Sequence, residues 1–293
     1  MTVPEASGAG RLTGRVAVVT GGTNGIGVAT ARALRFEGAD VLVLGRSADK
    51  VERLLAEERD RTGPGRLQAL AADFSQMAEV VAAVGWIAAR VDRVDLLLHS
   101  VGVLLTRPEY TAEGLERDFA VSYLSRFLFL EEAGRRGLLH PGTRMVNVAA
   151  SAPRVPRIAR VEFGSLAEVE ARIGLRAHGQ AQLAADLLTA AAPERYGITA
   201  VGYGPGAVDT GIRREVPAWA RAVLRPLYAK TTRRPEQAAA DVVAAFLDPD
   251  LPTASATFRN RRGVFDASAY VTDRRRQQEL ITVSRALIDR ARG

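Results

Sequence analysis

The 293-residue chain has no cysteine, and only two of its forty basic residues, Lys50 and Lys230, are lysines. The first absence removes disulfides, thiolate nucleophiles and cysteine metal ligation. The second leaves just two candidates for amine chemistry. No apolar run approaches the ~18–20 residues of a membrane span, so none is expected. The N-terminal stretch MTVPEASGAGRL has no apolar core of the signal-peptide kind, and a cytoplasmic location is expected. Internal repeats and low-complexity tracts are also lacking. His99, His140 and His178 are too scattered for a spacing such as His-x-x-x-His, so no metal site is expected.

What is present is an ordinary globular composition, 47% hydrophobic and 25% charged. That mix excludes disordered, collagen-like and coiled-coil chains. The net charge of +7 comes from arginines spread along the chain, with short clusters such as Arg213-Arg214 and Arg274-Arg275-Arg276. Without a recognition signature this reads as solvated helix faces, and no nucleic-acid partner is expected.

Residues 1–12 are small, polar and aperiodic and read as a loose tail. Short apolar runs then alternate with helical stretches. Val16–Val19, Val41–Leu44, Leu67–Ala71, Leu96–Leu98, Met145–Val148 and Ile198–Val201 read as buried strands. Helices are expected near 26–37, 48–60, 76–90, 112–136, 175–192, 235–247 and 273–291. Such alternation implies a single α/β domain over residues 13–293: a Rossmann-type, doubly wound parallel sheet of about seven strands with helices on both faces. The stretch 211–235, with Pro217, Trp219, Pro226 and Tyr228, reads as a substrate lid or as core packing.

Thr20-Gly21-Gly22-Thr23-Asn24-Gly25-Ile26-Gly27 follows the first strand and opens a helix. Glycines there let the backbone approach a pyrophosphate, whose charge meets free N–H groups at the helix start. An NAD site places a carboxylate at the end of the second strand, but this chain has Gly45-Arg46-Ser47, and Asp40 stands at the strand's opening. Arg46 and Ser47 suit a 2′-phosphate, which points to NADP(H) rather than NAD(H).

These motifs resemble those of the short-chain dehydrogenase/reductase family, whose pattern the sequence matches from about Gly14 to Phe246. The resemblance implies that Gly21, Thr23, Asn24, Gly25, Ile26 and Gly27 hold the dinucleotide and that Asp73-Phe74 lies at the adenine. It also implies that Ser100 and Gly102 line the cofactor and that Pro205, Gly206, Val208 and Thr210 lie against the nicotinamide. Thr111–Glu116 leading to Phe119, with Pro235–Ala239, is similar to the retinol-dehydrogenase-like branch.

The family's four catalytic positions are Asn, Ser and Tyr-x-x-x-Lys, and each differs here. Ser122 stands where the asparagine is expected and Ala150 where the serine is, with Ser151 one residue late. His178 stands for the tyrosine and Gln182 for the lysine, while His99-Ser100-Val101-Gly102 replaces the usual Asn-Asn-Ala-Gly. Sliding the alignment does not help, because neither lysine follows a tyrosine by four residues. His178 reads either as a general acid or base, since an imidazole titrates near ~6.5, or as pocket lining. His99 reads as structural and His140 as a surface turn residue.

Three functions stay open: an NAD(P)(H)-dependent reductase of a fairly hydrophobic small molecule, a non-redox cyclase, isomerase or lyase on the same fold, and a non-catalytic dinucleotide binder. The partner is a small-molecule substrate, and the chain is either a monomer or a homo-oligomer.

Overall fold

Valine- and leucine-rich runs of four to six residues favour extended backbone, and when both faces are apolar they are stable only between two helical layers. The computed structural model places them so, and it describes residues 10–105, 107–149, 154, 159–170, 172, 174–209 and 232–292. Ala150, Ser151, Thr210 and positions 211–231 of the expected lid lie outside the described residues.

The first half runs β1 (Val16–Thr20), α1 (Gly25–Phe36), β2 (Asp40–Gly45), α2 (Ala48–Arg59), β3 (Leu67–Ala71), α3 (Met77–Ala88) and β4 (Leu96–His99). There follow α4 (Arg117–Phe119), a π-helical turn (Ala120–Leu124), α5 (Ser125–Arg135), β5 (Arg144–Val148), α6 (Leu166–Glu170), α7 (Leu175–Tyr196) and β6 (Thr199–Gly204). The chain ends with α8 (Pro235–Leu247), β7 (Thr257–Asn260), β8 (Gly263–Phe265), α9 (Ala269–Thr272) and α10 (Arg274–Arg292).

All eight strands form one sheet in the order β3-β2-β1-β4-β5-β6-β7-β8. Seven are parallel, and β8 returns antiparallel to β7. The expected count of about seven is therefore one short. The extra strand has three residues, too few for an alternation to show. Successive strand residues face opposite layers: Val18 and Leu97 pack with α3, α5, α7 and α10, whereas Ala17, Val19, Leu96 and Leu98 pack with α1 and α8. Burying each such leucine fully is worth about 1.5–3 kcal/mol. The strand order reverses between β1 and β4, which opens a crevice at their C-terminal ends.

Two expectations need correction. Leu12 of the expected tail is buried, and its N–H donates to Glu37 O at 2.8 Å, so the chain is anchored before Thr13. The helix expected near 112–136 begins only at Arg117. Gly114 has φ +74°, which a helix does not accommodate, and Thr111 N–H pairs with Leu115 O to close a turn. Glu116 then caps the new start by accepting from Phe119 N–H at 2.7 Å.

Candidate active site

The crevice beyond β1 and β4 is a cavity of about 450 Å³. Gly21, Thr23, Asn24, Gly25, Ile26 and Gly27 line it from the β1–α1 loop, and Arg46 and Ser47 from the end of β2. Asp73, Phe74, Ser100 and Gly102 line it as well, with Pro205, Gly206 and Val208 from beyond β6. His178 and Gln182, one turn apart on α7, share the same cavity. Lys50 on α2 also reaches it, a contribution from one of the two lysines that the sequence reading leaves unassigned.

The glycine loop has the shape an anion cradle needs. Gly21 has φ +70°, and a Cβ there would stand 2.7 Å from Val101 N. A Cβ on Gly27 would stand 2.3 Å from Gly21 O and 2.6 Å from Ser100 Oγ. Asn24 is extended at the start of α1 and makes no side-chain cap, and the first turn carries no acidic residue. The amides of that turn are therefore uncapped by side chains and sit at the positive end of the helix, beside the cavity. At the opposite rim, Ser47 caps α2 by accepting from Lys50 N–H at 3.4 Å, with the exposed Arg46 beside it. Asp40 lies at the far end of β2 and accepts from Arg66 N–H. The residues present thus fit a phosphate-bearing dinucleotide.

On the α4–α7 side the structure supplies a partner that the sequence reading does not name. Asp118 is fully buried, and its Oδ2 lies 3.0 Å from His178 Nδ1, with Oδ1 at 3.2 Å. Ser122 Oγ donates to Asp118 Oδ1 at 2.8 Å, and Leu105 N–H donates to Oδ2 at 3.3 Å. The Ser122 oxygen in turn accepts from Val103 N–H at 3.2 Å. Ser122 is fully buried and does not line the cavity, so its hydroxyl supports Asp118 instead of facing a ligand. The π-helical turn that contains Ser122 is a form often found at functional sites.

A second unforeseen group lines the same cavity, the buried guanidinium of Arg126. It donates to Val148 O at 2.7 Å and also to Asn147 Oδ1 and Val101 O. Burial pushes its pKa down to about 10, against the opposing pull of the Asp186 and Asp118 charges, so it stays cationic at neutral pH. Burial, with the Arg126 charge adding, holds the His99 imidazole neutral far below its usual range. His99 sits edge-on to Phe129, 5.3 Å between centroids, outside the cavity lining. His140 accepts from Gly142 N–H in a turn at the other end of the sheet. Glu116, near Asp118, is pushed up to about 7 chiefly by burial.

Asp118, Ser122 and Arg126 follow one another at helical spacing of four, the one sequence signal that linked them. That their face turns toward His178 depends on how α4 and α7 pack, which no local pattern encodes.

A model of the short chain dehydrogenase family matches residues 15–221. The chain is similar to an uncharacterised oxidoreductase of Schizosaccharomyces pombe, 30% identical over 223 residues, 73% of this chain and 66% of the relative. It is 32% identical over 244 residues to the Homo sapiens protein called dehydrogenase/reductase SDR family member 13, covering 79% of this chain and 62% of that protein. Among solved structures, a short-chain dehydrogenase/reductase from Serratia marcescens superposes with a TM-score of 0.64 at 26% identity, covering 85% of this chain and 97% of the other. The chain thus spans about two thirds of the length of those two curated relatives.

Proposed function

Because this chain belongs to the short-chain dehydrogenase/reductase family, whose members bind nicotinamide dinucleotides, we propose that it is an NADP(H)-dependent oxidoreductase of a fairly hydrophobic small molecule, with His178 as its proton-transferring group. The observation that carries this reading is that His178 and Gln182 line the same cavity as the Gly21–Gly27 loop. The similarity to dehydrogenase/reductase SDR family member 13 supports placing the chain near the retinol-dehydrogenase-like branch.

Gly21, Gly25 and Gly27 keep the loop low enough for a pyrophosphate to reach the uncapped amides of α1. Asp73 and Phe74 bound the adenine end, and Ser100, Gly102, Pro205, Gly206 and Val208 bound the remaining length. Arg46, with Ser47 and Lys50, offers donors and positive charge for a 2′-phosphate, with no carboxylate at the end of β2 to favour free ribose hydroxyls. When bound, the nicotinamide supplies hydride transfer to or from the substrate carbon. His178 exchanges the proton at the substrate oxygen. Gln182 donates or accepts a hydrogen bond there without carrying charge. Ser151 and Thr210 keep their sequence-based roles as candidates.

A second reading, a non-redox enzyme on this fold, is favoured by the uncharged Gln182 and the imidazole at 178 where the family pattern has its lysine and tyrosine. Incubation of the protein and NADPH with a panel of ketones, aldehydes and enones separates the two. Consumption of NADPH supports the first reading, and its survival with turnover of a substrate supports the second.

A further inference from the structure

His178 and Asp118 form a pair whose proton can be located by counting donors. Leu105 N–H is a fixed donor into Asp118 Oδ2 at 3.3 Å. Val103 N–H donates to the Ser122 oxygen at 3.2 Å, and of the two acceptors within reach of the Ser122 hydroxyl, Val103 O at 3.4 Å and Asp118 Oδ1 at 2.8 Å, the shorter contact goes to Asp118. Each oxygen of Asp118 thus has a donor other than the histidine within reach, an environment that suits an acceptor carboxylate. Its side chain is wholly buried, so water does not screen that charge from the imidazole. An imidazole with its lone pair on Nδ1 would set that lone pair against the carboxylate at 3.0 Å. With the proton on Nδ1 the same contact is a charge-assisted hydrogen bond.

We infer that Asp118 is a positioning residue that holds the proton of His178 on Nδ1 and so presents an unprotonated Nε2 as the site's acceptor for a substrate hydroxyl. The inference rests on the reading of His178 as the proton-transferring group. In the step from alcohol, the substrate O–H bond breaks and its electron pair stays on oxygen. The proton bonds to the Nε2 lone pair, and the positive charge of the imidazolium faces the Asp118 carboxylate. The reverse step returns the proton from Nε2 to the alkoxide oxygen. The hydride that separates alcohol from carbonyl would leave or reach the substrate carbon by way of the dinucleotide, as in the reading above. Ser122 and Leu105 N–H act one layer behind, fixing the plane of the carboxylate. No cation at position 182 is needed in this design, since the carboxylate stabilises the imidazolium that a lysine would oppose.

The test is a two-bond ¹H–¹⁵N correlation spectrum of the full ¹⁵N-labelled chain at pH 8.5, without dinucleotide. The chain has three histidines, so His178→Gln identifies the His178 ring by its loss. The expected spectrum shows His178 protonated on Nδ1 alone, with that proton shifted downfield. Asp118→Asn, which preserves shape, moves the proton upfield by more than 1 ppm, and Asp118→Ala lets the ring go over to the Nε2-protonated form that free imidazole prefers. Turnover by Asp118→Asn falls by ~10²-fold or more with KM little changed, as expected when the acid–base group is kept but loses the partner that orients it. A wild-type His178 protonated on Nε2, or an Nδ1 proton unmoved in Asp118→Asn, overturns the inference. The expected spectra in a protein that turns over no alcohol or carbonyl uphold the pair and overturn the redox reading alone.

Discussion

His178 Nδ1 lies 3.0 Å from the buried Asp118 Oδ2, although the two residues stand sixty positions apart in the chain. The contact joins the start of α4 to the first turns of α7 and sets an imidazole at the cavity wall. His178→Phe is expected to lower turnover by ~10²–10⁴-fold, the usual worth of a general acid or base. His178→Gln should do the same, because it keeps polarity without a titratable proton. Steady-state kinetics on the native substrate check this, with NADPH affinity expected to change little.

Arg46 and Lys50 border the cavity at the end of β2. Arg46→Ala should weaken NADPH binding by about 1–3 kcal/mol, the worth of a charge-assisted contact, and leave NADH binding nearly unchanged. Isothermal titration with both dinucleotides measures the difference. Equal losses for the two would remove the 2′-phosphate from Arg46.

Glu116 is pushed up to about 7, first by burial, with the Phe119 amide pulling it down and the Asp118 charge adding to the rise. Its folded value therefore exceeds that of the unfolded chain. Between about pH 4.5 and 7 the native state holds a proton that the unfolded state releases, so stability falls as pH rises through that window and stays lower above it. Glu116→Gln keeps an acceptor for Phe119 N–H and removes the charge. It should stabilise the protein at pH 8 relative to its effect at pH 4.5 by about 1–2 kcal/mol, discounted for partial solvent screening. Urea denaturation at both pH values gives the difference, and equal effects would contradict it.

Arg126 is buried, and its guanidinium serves Val101 O, Val148 O and Asn147 Oδ1. Arg126→Met fills similar volume but leaves these acceptors without their donor. A loss of about 3 kcal/mol or more is expected, since each orphaned buried group costs roughly 1–3 kcal/mol. An unchanged urea midpoint would show that the acceptors find other donors.

The parallel sheet was legible because β1 to β6 announce themselves as apolar runs, and because the glycine loop stands between the first strand and a helix. By contrast β7, Thr257–Asn260, has Phe258 as its one apolar residue and gives no such signal. The three-residue β8 carries no alternation, and the anchor at Leu12 depends on an apolar residue inside a polar stretch. At the site, His178, Gln182 and the Gly21–Gly27 loop were found because motifs mark their positions. Asp118 and Arg126 were not, since their roles arise from burial and from the packing of α4 and α5 against α7. Ser122 shows the difference most clearly. Its position in the motif marked it as a catalytic candidate, yet it is buried outside the cavity lining with its hydroxyl on Asp118.

The most direct measurement follows a label from NADPH deuterated at the transferable C4 position. Mass spectrometry of the products from a panel of hydrophobic ketones, aldehydes and enones reads where the deuterium goes. Expected is deuterium on the former carbonyl carbon of at least one product with wild-type protein, and ~10²–10⁴-fold slower incorporation with His178→Phe. NADPH that binds to the wild-type protein but leaves deuterium in no product would contradict an oxidoreductase.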